Sequence, residues 1–237
     1  MTTLSKNARV AGLLYLSIMP GVLRLIYIPN KLFVAGNATA TANNIAAHQT
    51  LFRLGIVSDL VCSTMLIFLT LALYRLFKEV DRDLARLVVI LGSLMVTPIY
   101  FLNTVNDAAA LLFARGADAL AVFDKPQRDA FVRFFLDLHF QGVLANEIFW
   151  GLWLFPFGLL VYRSRFLPRI LGVWLMLACF GYLALSFTGF LFPQYQDTVW
   201  KIASPITAGE LAIMLWLLIM GAKPRGLAAA SSAMVSG

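Results

Sequence analysis

Between Leu136 and Pro156 the chain reads LDLHFQGVLANEIFWGLWLFP, an apolar run interrupted by Asp137, His139, Gln141, Asn146 and Glu147. Carboxyl, imidazole and amide groups move protons, hold cations or grip polar ligands. Others of the same kind interrupt apolar stretches elsewhere, at Arg24, Arg53, Asp59, Asn103, Asn106, Asp107, Arg133 and Glu210. A charge in hydrocarbon costs about 2.5 to 3.5 kcal/mol even on the lenient insertion scale, so these groups must face one another rather than lipid. Arg24, Arg53, Asp59, Asn103, Asp107, Asp137, His139, Asn146, Glu147 and Glu210 are therefore the candidates for a ligand site. Within that set Glu147, Glu210, Asp137 and His139 are the candidates for acid–base chemistry.

Charge sharpens the expectation. Arg24, Arg53 and Arg133 face Asp59, Asp107, Asp137, Glu147 and Glu210, so two acids lack an arginine, and a proton or a cation must make up the difference. At 100° per residue, Arg133, Asp137, Gln141 and Glu147 share one stripe of their helix, while His139 and Asn146 lie on the opposite side. Tyr100, Asn103 and Asp107 form a second stripe on another helix. The bland alternative is that Arg133 and Asp137 only pair with each other, and that the remaining charges only specify how the helices associate.

The elements that must position these residues are membrane helices. The chain is 60% apolar and 13% charged, with a mean hydropathy of +0.81, whereas soluble domains carry roughly 25% charged residues. Windows of the length that crosses a bilayer, about 20 residues, centre on residues 8–28, 51–77, 87–113, 131–162, 170–192 and 205–221. The fold class expected is thus all-α integral membrane, a single bundle of six transmembrane helices over residues 1–222, with a flexible cytoplasmic tail over residues 223–237. Lys6 and Arg9 precede the first run without a small-residue cleavage site after it, which reads as an uncleaved span.

An even number of spans puts both termini on one side, and the positive-inside rule chooses it. Eleven basic residues, Lys6, Arg9, Arg75, Lys78, Arg82, Arg86, Arg163, Arg165, Arg169, Lys223 and Arg225, fall on the side of the termini; Lys31, Arg115, Lys125, Arg128 and Lys201 fall on the other. The expectation is N-in and C-in. The polar layer then lies in the outer half of the membrane. The net charge of +7 follows from this asymmetry and calls for no nucleic acid; membrane lipids, and a small-molecule ligand, are the partners expected.

No metal and no cofactor is read from the pattern. His48 and His139 lack coaxial placement for haem, no HExxH spacing is present, and GxSxG, P-loop and dinucleotide fingerprints are absent. Cys62 and Cys179 read as small core residues. Pro20-Gly21 and Pro156-Phe157-Gly158 interrupt the spans that open each half of the chain, and paired breaks point toward transporter-like sites.

FWGLWLFPFGLLVYRSRFLPRILGVWL, residues 149–175, together with RVAGLLYL near the start and LALYRLF at the close of the second span, resembles the bacterial domain-of-unknown-function family 4386. That resemblance implies a multi-pass fold and a bacterial cytoplasmic (inner) membrane location, and carries no reaction or site residue with it. Physically the stretch reads as an antiparallel helix hairpin: Trp150, Trp153, Tyr162 and Trp174 as interfacial anchors, Gly151 and Gly158 as points of close helix approach, and Pro168 as the start of a helix. The function favoured by the residues is binding or translocating a small solute, cation or amphiphile in an outer-half polar cavity. The alternatives are an intramembrane acid–base enzyme acting on a lipid or isoprenoid, and a structural or accessory protein.

Overall fold

A computed structural model describes residues 2–223. All but Lys223 of the tail expected over 223–237 lies outside those residues. Every regular element among the described residues is helical. Helix α1 (Thr3–Leu16) starts at Thr2, whose hydroxyl accepts from the Ser5 N–H. A tight stretch through Pro20 and Gly21 follows, then a π-helical turn (Leu23–Tyr27) and the short α2 (Ile28–Leu32). Next come α3 (Ala38–Ala47) and the long α4 (Gln49–Phe77). Helix α5 (Arg82–Val89), a second π-helical turn (Ile90–Leu94) and α6 (Val96–Arg115) form one rod. Helix α7 (Lys125–Leu152) begins with a reciprocal Asp124–Gln127 capping box and continues into α8 (Leu154–Ser164). Pro168 opens α9 (Arg169–Leu191), and α10 (Gln196–Thr207) and α11 (Gly209–Ile219) complete the bundle.

Among the described residues five rods are long and apolar enough to cross a membrane: residues 49–77, 82–115, 125–164, 169–191 and 193–219. They overlap five of the six windows expected, the last beginning at residue 193 rather than 205. The window over residues 8–28 is not a continuous helix. Proline offers no N–H and its ring clashes with the preceding turn, so the backbone around Pro20 tightens into three-residue turns, with the N–H groups of Met19, Gly21, Val22 and Leu23 donating to the carbonyls of Leu16, Ile18, Met19 and Pro20. The polar stretch read as a connection also gains structure. Asn37 caps α3 by accepting from the Ala40 N–H, and the buried Ala42 and Ile45 attach that helix to the bundle.

Two apolar cores hold the rods together. One, at the end carrying the N-terminus, gathers Ala8, Leu69, Phe77, Phe157, Val161 and Leu217; the other, at the opposite end, gathers Ile28, Ile45, Phe52, Ala110 and Val132. The expected hairpin of α8 and α9 is present and close. A Cβ on Gly158 would stand 2.6 Å from the Gly172 carbonyl oxygen, and one on Gly151 would stand 2.7 Å from that of Cys179. Both cysteines are free and buried, as small core residues.

Candidate functional site

Between the two cores the π-helical turn carries Arg24 inward. Its guanidinium makes a two-pronged bond to Asp107, Nε to Oδ2 and Nη2 to Oδ1, each 2.6 Å. Both side chains are buried, at 3% and 0% exposure. Phe33 and Phe52 flank the guanidinium at 5.5 and 5.8 Å from their ring centres, an arrangement that favours a desolvated cation. His139 Nδ1 lies 3.1 Å from Asp107 Oδ1 and 3.4 Å from the Asn103 carbonyl oxygen. Both neighbours are acceptors, so Nδ1 carries a proton.

Asp59 completes a buried group: Asp59, Asp107 and His139 each bring one possible ligand atom within 4.8 Å of the others. A divalent ion could use such a set, yet both Asp107 oxygens already bind Arg24. The guanidinium stands where the metal's charge would be needed. Asp59 itself is 4% exposed and makes no hydrogen bond among the described residues.

Beside this group lies a cavity of about 450 Å³. Its polar wall includes Asp59, Asn103, His139, Asn146 and Glu210, with Ser204 and Thr207 beside them. Glu210 accepts a 2.6 Å bond from the Tyr15 hydroxyl, and the Tyr182 hydroxyl faces the same carboxylate. The side-chain oxygens of Asn103 and Asn146 are buried without a hydrogen-bond partner among the described residues. Buried polar atoms ordinarily have one, so each such atom calls for an explanation. The rest of the wall is aromatic and aliphatic: Tyr100, Trp150 and Tyr182 form a ladder with ring centres 6.1 and 6.0 Å apart, and Tyr15 and Trp153 adjoin at 6.1 Å.

Three helix interruptions border this space. Gly21 and its neighbours come from the break after α1, Trp153 from the α7–α8 junction, and Thr207 and Ala208 from the α10–α11 junction. On one side the lining includes Val22, Leu25, Ile26, Trp200 and Leu211, all 41–50% exposed. The mouth therefore opens sideways, between the broken first segment and α10–α11, onto an apolar surface.

Several expectations change. Arg53 is exposed and makes no ion pair among the described residues; in the first turns of α4 its long side chain reaches the surface. Arg133 and Asp137 pair with each other, Nη2 to Oδ1 at 2.8 Å, at 47% and 51% exposure, because an i, i+4 pair satisfies itself without the bundle. Neither belongs to the cavity. Gln141 is exposed with them, whereas Glu147, expected on their stripe, is buried with its Oε2 unpartnered; it lies on the flank of α7 toward Tyr182 of α9 and does not line the cavity. The inner balance is thus one arginine, Arg24, against Asp59, Asp107, Glu147 and Glu210. Trp150 and Trp153, expected as interfacial anchors, line the cavity, within the 40-residue rod that α7 and α8 form together. Residue reading missed Tyr15 and Tyr182, which sit in apolar runs, and Trp200, which falls in the polar stretch between the windows over 170–192 and 205–221.

The fold and site define a class: an all-helical multi-pass membrane protein with a buried ion pair beside a partly open cavity. Residues 10–221 match the family described as Domain of unknown function (DUF4386), and the chain belongs to that family. It is also similar to an uncharacterized protein of Archaeoglobus fulgidus, 33% identical over 88 residues, which are 35% of this chain and 49% of that one. The chain thus spans about half the length of that relative. No solved structure matches.

Proposed function

We propose that the protein binds an amphiphile that enters its cavity sideways from the lipid. In this reading the chain crosses a bacterial cytoplasmic (inner) membrane six times, N-in and C-in. Its first crossing is made by α1, the break and the π-helical turn. The single observation that carries the reading is the mouth, where exposed apolar side chains of the 22–26 segment and of α10–α11 meet a wall of acids, amides and tyrosines. A head group would rest on the polar wall and a chain would leave between the two segments. The apolar core around Leu69, Phe77, Phe157 and Val161 closes the end nearer the termini, which favours holding a molecule in the outer half over passing a solute straight through.

The test is native mass spectrometry of the full chain released from gentle detergent, wild type beside Glu210→Gln and Leu211→Trp. A bound mass that is lost in either variant is expected. Bare protein in every sample, including one incubated with total membrane lipid, would overturn the reading. A second reading draws on Glu210, whose carboxylate meets two tyrosine hydroxyls at the cavity wall and could act as a general acid–base on the bound molecule. A different bound mass in wild type and in Glu210→Gln, both occupied, would favour that enzyme reading.

A further inference from the structure

Resting on the binding reading above, we infer that the head group this cavity accepts is a cationic amine. Asp59 is on the polar wall, buried, without a hydrogen bond among the described residues. The arginine that acts on it, Arg24, is already committed through two bonds of 2.6 Å to Asp107. A carboxylate at this depth needs a counter-charge or a proton, and among the described residues no lysine or arginine lines the cavity. The second acid on the wall, Glu210, is faced by tyrosine hydroxyls among the described residues. The wall's two carboxyl groups thus have no lysine or arginine beside them on it, and its imidazole, His139, turns Nδ1 to Asp107.

The remaining lining fits the same chemistry. Tyr15, Tyr100, Trp150, Trp153, Tyr182 and Trp200 present six aromatic rings to the space, and the faces of such rings attract organic cations, most strongly when water is excluded. An ammonium brings up to three N–H donors, and the wall offers the carboxyl groups of Asp59 and Glu210 to accept them. An anionic head group would meet two carboxyl groups and, among the described residues, no lysine or arginine on the wall. A neutral alcohol would bring no charge to balance an ionised Asp59.

The test uses the full chain in lipid nanodiscs and three probes sharing one chain, dodecylammonium, 1-dodecanol and dodecyl sulfate, by equilibrium dialysis with empty-disc subtraction and by tryptophan fluorescence. Dodecylammonium is expected to bind tightest, and Asp59→Asn to weaken it about tenfold or more, the scale of removing one partner from a buried charge pair. Glu210→Gln, scored for a monodisperse elution profile as Asp59→Asn is, supplies a second carboxyl variant should the first not fold. Equal or tighter binding of the alcohol or sulfate would overturn the amine assignment and leave the amphiphile reading standing. Undiminished ammonium binding in both folded variants would overturn the assignment as well. Failure of all three probes to bind would overturn both.

Discussion

Arg24 and Asp107 hold each other in the buried middle of the bundle, at 3% and 0% exposure. Each stood out in the sequence as a charge in an apolar run, but the choice of partner rested on tertiary placement, since 83 positions separate them. The local pair Arg133–Asp137 was legible from spacing alone, and so was the risk that it had no further role. Breaking a buried pair by removing one member costs about 3 to 5 kcal/mol, because the other charge stays behind. Asp107→Asn should accordingly lower the midpoint of thermal unfolding in detergent sharply, followed by tryptophan fluorescence. The double change Arg24→Leu with Asp107→Leu should recover most of that loss, as apolar replacement of both members commonly does. A double variant as unstable as the single one would show that the pair contributes more than mutual neutralisation. Gly142 was not legible at all. A Cβ there would overlap the Asn103 amide, so the glycine's role is visible only once α6 and α7 are side by side. Gly142→Ala should displace that amide from the cavity wall and weaken ligand binding while the helix content measured by circular dichroism stays unchanged.

Among the elements, apolar runs were easy to find whether broken or not, but what a break does to the backbone was not. Rods over residues 49–77 and 169–191 follow from hydropathy because their backbone needs no outside partner. The first segment hides its break in composition: a Pro-Gly pair is compatible with a kink or a stop, and only the neighbouring helices decide which. Helix α3 was missed for the opposite reason, since its apolar face is made mostly of alanine and threonine, too small to register as periodicity. The α8–α9 hairpin was anticipated from its glycines and proline, and its contact gives a direct check. Because the Gly158 Cβ position is already occupied by the Gly172 carbonyl and by Met176, Gly158→Leu should cost about 1 to 3 kcal/mol through overpacking, whereas Gly36→Ala, which meets nothing within 4 Å although its φ is +69°, should cost less. Urea titrations of the two variants in mixed micelles would rank them. A larger loss at Gly36 would contradict the packing described.

For the whole molecule, the basic residues carry the proposed orientation. Cysteines introduced for Glu79 and Arg165 in a cysteine-free background should react with an impermeant maleimide only after the cell membrane is opened, and cysteines introduced for Gly36 and Ala121 should react in intact cells. The reverse pattern would invert the molecule, and labelling of residues 36 and 165 from the same side would remove one crossing. A different consequence follows from the π-helical turn at Leu23–Tyr27. Such a turn is an α-helix holding one residue too many, and each residue advances a helix by about 100°. Deleting one residue of that turn would restore an ordinary helix and swing everything on one side of it by about that angle relative to the other. Arg24 could keep its identity and still lose Asp107. The ion pair therefore depends on how many residues the chain spends between Gly21 and Ile28 as much as on which ones they are, so a change in length there is a mutation of the site even when every charged group survives it.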